Sequence, residues 1–526
     1  MTPKKTLKPL VLEEMTTEQK LGMLYCARLF NQEALDLALE LIKKRAIGSV
    51  QISPKKKDFV RQVLEAADYP IIIVCDTETR FPTSEKQPIP LVTLAACDKP
   101  EYYEVFGKAV ATEAKAAGFN ATWNPVVDVL HCNGPIKVYR LFYDDPQRVF
   151  RAAEEICKVY KRNGYMSCGK HYPGGSDAPY DNHMTSVPSK CTVDDLMNFD
   201  MIPYKYLMER DLLPSIMTRH AVYENIDPEH AGTMSPKIQG MIREMGWDGV
   251  CWTDSFGMMA VLQKYGEENI LGLAIAAGND IVLPNYRTPA RVTYGHLLEN
   301  WERGMFSEER LNESAERVIK LMNKLAEIPE AVDVFTEEDQ KLYDSIAAAS
   351  ITAICDEGVD IKLPENTKKM FVITTPMDFN PNTEDLETVT DQWYYPNRVA
   401  DQIRKNFPDA HIEFIPEFAT KPDNERVLVA STQFDEVIFV TFCDTQPYLG
   451  TDGLTRRLEV LIDSLNMANR LSTVVHFGNP FALETIQHVG RKIFGYIMPD
   501  AQPCAIDALA GLQDAPGTLP FNCKFQ

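Results

Sequence analysis

Lys170-His171-Tyr172-Pro173-Gly174-Gly175, followed by Asp181-Asn182-His183, places a cation, two imidazoles, a turn and a carboxylate within fourteen residues. An Asp two residues before a His can accept a hydrogen bond from one ring nitrogen, fix the tautomer and leave the other nitrogen to carry protons. That pattern fits general acid/base work by His183 with Asp181 as its partner. The plain alternative is a polar loop holding a hydrogen-bonded histidine. A second candidate is Val250-Cys251-Trp252-Thr253-Asp254, an apolar run ending on a carboxylate that can attack an electrophilic carbon or stabilise a cation. Its alternative is a helix N-cap. Asp76, in Cys75-Asp76-Thr77-Glu78-Thr79-Arg80, and Arg140, near Asp144-Asp145-Pro146, suit the gripping of hydroxyls or, equally, structural salt bridges. Lys170 and His171 are placed to donate to a ligand. His171, His183 and Asp254 together have the ligand types of a metal-binding triad, but the charge of Lys170 beside them opposes a metal ion, so none is expected.

These groups need a scaffold, and the chain has the pattern of one. Short β-rich runs at 47–52, 71–75, 120–123, 166–170, 215–218, 250–253 and 281–283 alternate with helical patterns at 102–117, 145–162, 235–244 and 308–325. Repeated strand-then-helix spacing predicts a parallel sheet, and at this length a (β/α)8 TIM-like barrel. Asp76, Asn124, His171, His220 and Asp254 all fall at or just after the ends of predicted strands, which is where barrels carry their chemistry. Capping of the following helices accounts for one or two such residues, not for the set. A Rossmann-type sheet would want a glycine-rich turn after its first strand, and the chain has none there. The barrel is expected over 1–328 and an acidic, polar linker over 329–345. A three-layer α/β sandwich is expected over 346–526, with strands at 370–374, 411–415, 436–441, 473–476 and 492–497 and helices at 396–406 and 455–466.

Bulk properties narrow the function. With 526 residues, 45% hydrophobic and 25% charged, the chain is of ordinary globular composition and long enough for two domains. A net charge of −21 repels nucleic-acid phosphates and suits a neutral or weakly anionic small substrate. No run approaches the ~20 apolar residues of a membrane span, and Met1 to Leu7 lead into Glu13-Glu14 without an apolar secretion core. The 12 cysteines are scattered without metal-ligand spacing, several inside apolar runs, which fits a reducing cytoplasm. No cofactor is expected, and the assembly is expected to be a monomer or homodimer.

Lys170-His171-Tyr172-Pro173-Gly174-Gly175-Ser176, four residues, then Asp181-Asn182-His183 resembles the signature loop of family 3 glycoside hydrolases, in particular the β-N-acetylglucosaminidase branch. The resemblance continues through Asn124-Pro125-Val126-Val127-Asp128, Met217-Thr218-Arg219-His220, Met234-Ser235-Pro236, Gly246-Trp247-Asp248-Gly249-Val250, Ala277-Gly278-Asn279-Asp280 and Gly478-Asn479-Pro480-Phe481. It implies a retaining enzyme in which Asp254 is the nucleophile, His183 the acid/base and Asp181 its partner. Asp76, Arg140, Lys170, His171 and His220 would bind the sugar. The implied activity is release of terminal N-acetylhexosamine from oligosaccharides or cell-wall fragments. The alternatives are a β-glucosidase, xylosidase or phosphate-using glycosidase of the same family, or a sugar-binding protein without activity. Thr79 and Arg80 stand where the family pattern has two glycines, and Gly175, Ser176 and Asn182 also depart from it. These departures bear on the identity of the sugar more than on the chemistry.

Overall fold

The first half of the chain alternates strands buried on both faces with helices that bury a single stripe, a combination satisfied by a parallel sheet inside a helical shell. The structure, a computed structural model, describes residues 7–78, 81, 89–131, 138–175, 183–186, 188–376, 394–443 and 453–525. Cys26–Leu29, Ser49–Ile52 and Ile72–Val74 pair in parallel in that order. Ala121 then bridges Val74 on one side and Met166 on the other. Cys168–Tyr172, Ser215–Thr218, Val250–Ser255 and Ile281–Leu283 continue the parallel sheet. A parallel bridge between Tyr25 and Val282 closes it into a barrel.

The surrounding helices start where their sequences tell them to. Pro146–Arg162 has Pro at its first turn and Asp145 as cap, whose carboxylate accepts from Arg148 N, and it buries Val149, Phe150, Ala153, Ile156, Cys157 and Tyr160 along one stripe. Pro236–Glu244 is built the same way on Ser235, and Glu308–Ala326 starts on a Ser307 cap without a proline. At the opposite end from the strand termini, the buried Asp280 precedes Ile281–Leu283 and ties the shell to the sheet. It accepts from Cys251 N at 3.0 Å and from Arg243 at 2.8 Å, and it also pairs with Arg310 and Arg317.

Two details depart from the sequence expectation. Cys26–Leu29 is a barrel strand that the apolar pattern does not announce, because it follows the helix Thr17–Met23 after only a short turn. At 120–123 no full strand forms. The Asn120 side chain takes over part of the ladder, accepting from Ile73 N and donating to Ile71 O, both at 2.8 Å.

The second sheet runs in the order Thr352–Cys355, Arg491–Phe494, Leu471–Phe477, Glu436–Phe442, Lys369–Thr375, His411–Pro416, parallel except for the first strand. Pro396–Asn406, Lys421–Ser431, Arg456–Met467 and Ala501–Leu509 are its helices. The N-terminal barrel is thus followed by an α/β sandwich.

The division into compact units interleaves along the chain. One unit comprises Met1–Pro88, Tyr103–Cys132 and Asp145–Asp339, and the other Ile89–Tyr102, Asn133–Asp144 and Gln340–Gln526. The second unit holds its early segments by backbone bonds, such as Thr518 N to Ala96 O at 2.9 Å, and by Asn522 N to Asp144 Oδ2 at 2.7 Å. Much of the expected linker at 329–345 is ordered, since Glu337–Ala349 is a helix.

Candidate active site at the barrel mouth

The C-terminal ends of the barrel strands bring a cluster of charged and polar groups together. Val250–Ser255 carries Asp254 to its end, with the carboxylate 19% exposed. The side chain accepts from the next backbone N–H, Ser255 N, at 2.6 Å. The following helix, Met259–Tyr265, starts at Met258 with no side-chain cap, so Asp254 is not an N-cap. Burial raises its pKa, but His171, His220, the Ser255 N–H and His183 outweigh that and hold the carboxyl below its ordinary value. Asp254 is therefore an ionised carboxylate among imidazoles, the state a nucleophile needs.

His171, in Cys168–Tyr172, is fixed from behind. Asp128 accepts from its backbone N at 3.0 Å and from its Nδ1 at 2.8 Å, which directs Nε2 towards Asp254 Oδ2, 4.0 Å away. Arg219 Nη1 lies 3.5 Å from the same Asp128 carboxylate. Burial works against the Asp128 charge, yet His171 and Arg219 bring its pKa from the ordinary 3.8 down to about 2. In the sequence Asp128 is visible only as part of a motif; in the fold its carboxylate pairs with the imidazole that faces Asp254.

His220 follows Ser215–Thr218. Its Nδ1 meets Thr233 Oγ1 at 2.8 Å, its Nε2 lies 3.3 Å from Ser255 O, and its ring stacks on Phe256. Burial lowers its pKa against the pull of Asp254, which favours the neutral ring. Lys170 is buried with its ammonium 2.5 Å from Glu78 Oε2 and 3.9 Å from Asp76 Oδ1. Glu78, the third residue of the Asp76 motif, is thus the partner of Lys170, while Asp76 remains partly exposed.

His183 stands close enough to Asp254 and His220 for its charge to act on both. Its expected partner Asp181 lies outside the described residues, as does Arg80. Arg140 ends the short helix Val138–Arg140 in a segment of the second unit, so it is not among the groups that the barrel itself assembles. Arg28 escaped the sequence reading. It lies on the first strand and donates to Gln51 Oε1 and to Ser255 Oγ, both at 2.6 Å, and Ser255 adjoins the nucleophile candidate.

Among the described residues, the groups able to surround a metal ion are His131, Cys191 and Asp200, all ligand atoms lying within 4.8 Å of one another. None of them belongs to the Asp254 cluster. Asp200 is already engaged there, by His131 Nε2 at 2.8 Å and by Gly175 N at 2.7 Å.

Comparison with known proteins matches this architecture and this motif set. Residues 16–321 match the Glycosyl hydrolase family 3 N terminal domain. The chain belongs to glycoside hydrolase family 3. A beta-hexosaminidase of Neisseria meningitidis serogroup C is 30% identical over 178 residues, which are 34% of this chain and 49% of that protein. The family 3 chain therefore spans about half the length of the curated relatives it matches. Among solved structures, a family 3 beta-N-acetylglucosaminidase from Paenibacillus sp. str. FPU-7 superposes with a TM-score of 0.79 at 22% identity, covering 97% of this chain and 100% of that one. The beta-glucoside phosphorylase BglX superposes with a TM-score of 0.80 at 21% identity, covering 97% of this chain and 94% of that one. At such identities the likeness is one of fold.

Proposed function

We propose that this family 3 chain is a retaining β-N-acetylglucosaminidase that removes terminal N-acetylhexosamine from oligosaccharides or cell-wall fragments. The observation that carries the reading is the ionised Asp254 at the barrel mouth, facing His171, His220 and His183. The relatives named beta-hexosaminidase support the choice of sugar.

In the proposed mechanism Asp254 attacks the anomeric carbon while His183, as imidazolium, protonates the departing oxygen. The glycosyl–Asp254 ester is then opened by water, activated by the now neutral His183. Asp181 orients and charges His183. Asp76, Lys170, His171 and His220 hold the sugar hydroxyls and the acetamido group. Asp128 acts through His171, as a positioning residue. Water is the favoured acceptor over phosphate, because Glu78 and Asp76 already balance Lys170. A cytoplasmic setting is supported by the described cysteines, most of them buried and none bonded to another described cysteine in a disulfide. No helix among the described residues is long and apolar enough to cross a membrane.

A panel of 4-nitrophenyl glycosides tests the reading. The expected result is turnover of the N-acetyl-β-glucosaminide well above the β-glucoside and β-xyloside, with free sugar and no sugar phosphate formed in millimolar phosphate. Preference for the glucoside would move the chain to a different activity within the family.

A further inference from the structure

The rim between the first and last barrel strands carries a group that the proposed chemistry leaves unused. Phe30, just past Cys26–Leu29, and Tyr286, just past Ile281–Leu283, are each 41% exposed and meet edge to face at 5.7 Å. The Arg28 guanidinium lies over both rings, 5.1 Å from the Phe30 centroid and 4.6 Å from that of Tyr286. Tyr286 reaches this place because Gly257 lacks a side chain: a Cβ there would come within 2.7 Å of the Tyr286 ring. Exposed aromatic faces bound by a cation at a site mouth are built for stacking against a ring.

Arg28 also has capacity left over. Its Nε and Nη1 are used by Gln51 and Ser255. Its Nη2 donates to no described residue, and no described carboxylate lies within ion-pair distance of the guanidinium. Asp254 and Asp76 act on the Arg28 charge without pairing with it, so a mostly buried cation whose direct partners are neutral groups and aromatic faces keeps a donor for an anion from solution. Because Nη1 contacts Ser255, the residue after Asp254, such an anion would sit at the rim of the same site and not at a remote surface.

We propose that Arg28, Phe30 and Tyr286 form the leaving-group subsite, and that it selects aglycones presenting a ring face together with a carboxylate. Tyr286 and Phe30 stack on the ring while Arg28 Nη2 takes the carboxylate. The inference rests on the glycosidase reading above and adds to it the class of leaving group. Arg287, whose guanidinium lies 4.6 Å from the Tyr286 centroid, adds positive potential at the outer edge.

The test compares kcat/KM for three N-acetyl-β-glucosaminyl substrates: the 4-nitrophenyl glycoside, its 3-carboxy-4-nitrophenyl analogue, and the glycosyl fluoride, which has no ring. Wild type, Arg28→Gln and Tyr286→Ala are measured at low and at 0.5 M salt, about where screening lengths fall to a few ångströms. The carboxylate preference of wild type is expected to fall about fivefold or more in Arg28→Gln and to shrink with salt. In Tyr286→Ala both aryl substrates should lose about fivefold relative to the fluoride. Intrinsic leaving-group reactivity cancels in these ratios. Because Tyr286 is exposed, its variant reads the subsite even where Arg28→Gln fails to fold. Ratios unchanged in the variants of an active enzyme would overturn the subsite alone. A wild-type protein inactive on all three substrates would overturn the glycosidase reading and the subsite with it.

Discussion

At the scale of single residues, the proposed roles of His183 and of Asp128 behind His171 predict different behaviour. If His183 delivers the proton to the leaving oxygen, His183→Ala should damage release of a poor leaving group far more than release of a nitrophenolate, which departs with little protonation. Acid catalysis contributes roughly 10²–10⁴-fold, and a loss in that range is expected with sugar aglycones. Equal losses on all aglycones would make His183 a positioning residue. Asp128 predicts a stability effect with a definite sign. Its folded pKa is depressed from 3.8 to about 2, so its stabilisation is present above the unfolded value and is lost as pH falls from about 4 towards 2. The shift corresponds to about 2 kcal/mol at neutral pH. Denaturation of wild type and Asp128→Asn should therefore differ most at pH 7, with the gap narrowing by about 1 kcal/mol by pH 3. A gap independent of pH would mean that Asp128 is not the charged partner of His171. Asp76, Lys170, His171, His220 and Asp254 were legible in the sequence because each ends or follows an apolar run. Asp128 and Arg28 were not, because their partners lie 43 and 227 residues away, and spacing carries no signal over such separations.

At the scale of elements, the strands with continuous apolar runs were readable to within a residue or two, as at Ser215–Thr218 and Ile281–Leu283. Cys26–Leu29 was not, because the apolar run from Leu21 spans both a helix end and a strand and no periodicity separates them. What separates them in the fold is a close approach. Gly22 O accepts from Gly48 N at 3.1 Å, and a Cβ on Gly22 would fall 1.8 Å from Ala46 O. Gly22→Ala must push the helix Thr17–Met23 away from the second strand, at a cost of about 1–3 kcal/mol. Thermal unfolding should show a clear fall in Tm, and because Arg28 rides on the adjoining strand, KM should rise with it. An unchanged Tm would contradict the packing described here. The interleaving of segments 89–102 and 133–144 with the second unit was equally invisible, since composition along the chain does not report which half a loop packs against.

At the scale of the molecule, fold class and family were both available from sequence. Barrel strands, sandwich strands and a signature loop each leave a local pattern, and the family match over residues 16–321 agrees with them. A chain carrying −21 charges repels polyanions at long range. Yet at the barrel mouth three histidines and the Ser255 N–H act on Asp254 and outweigh its burial, while Glu78 and Asp76 balance Lys170. That local environment favours an ionised Asp254, ready to form a bond to carbon. The most direct test is to trap that bond in the full chain. Incubation with 5-fluoro-N-acetylglucosaminyl fluoride, followed by intact-mass measurement and peptide mapping, should show one added glycosyl unit on Asp254, with activity lost in proportion and no label on Asp254→Asn. An active protein that accumulates its label on another residue, or none while it turns the reagent over with inversion of configuration, would contradict Asp254 as the nucleophile.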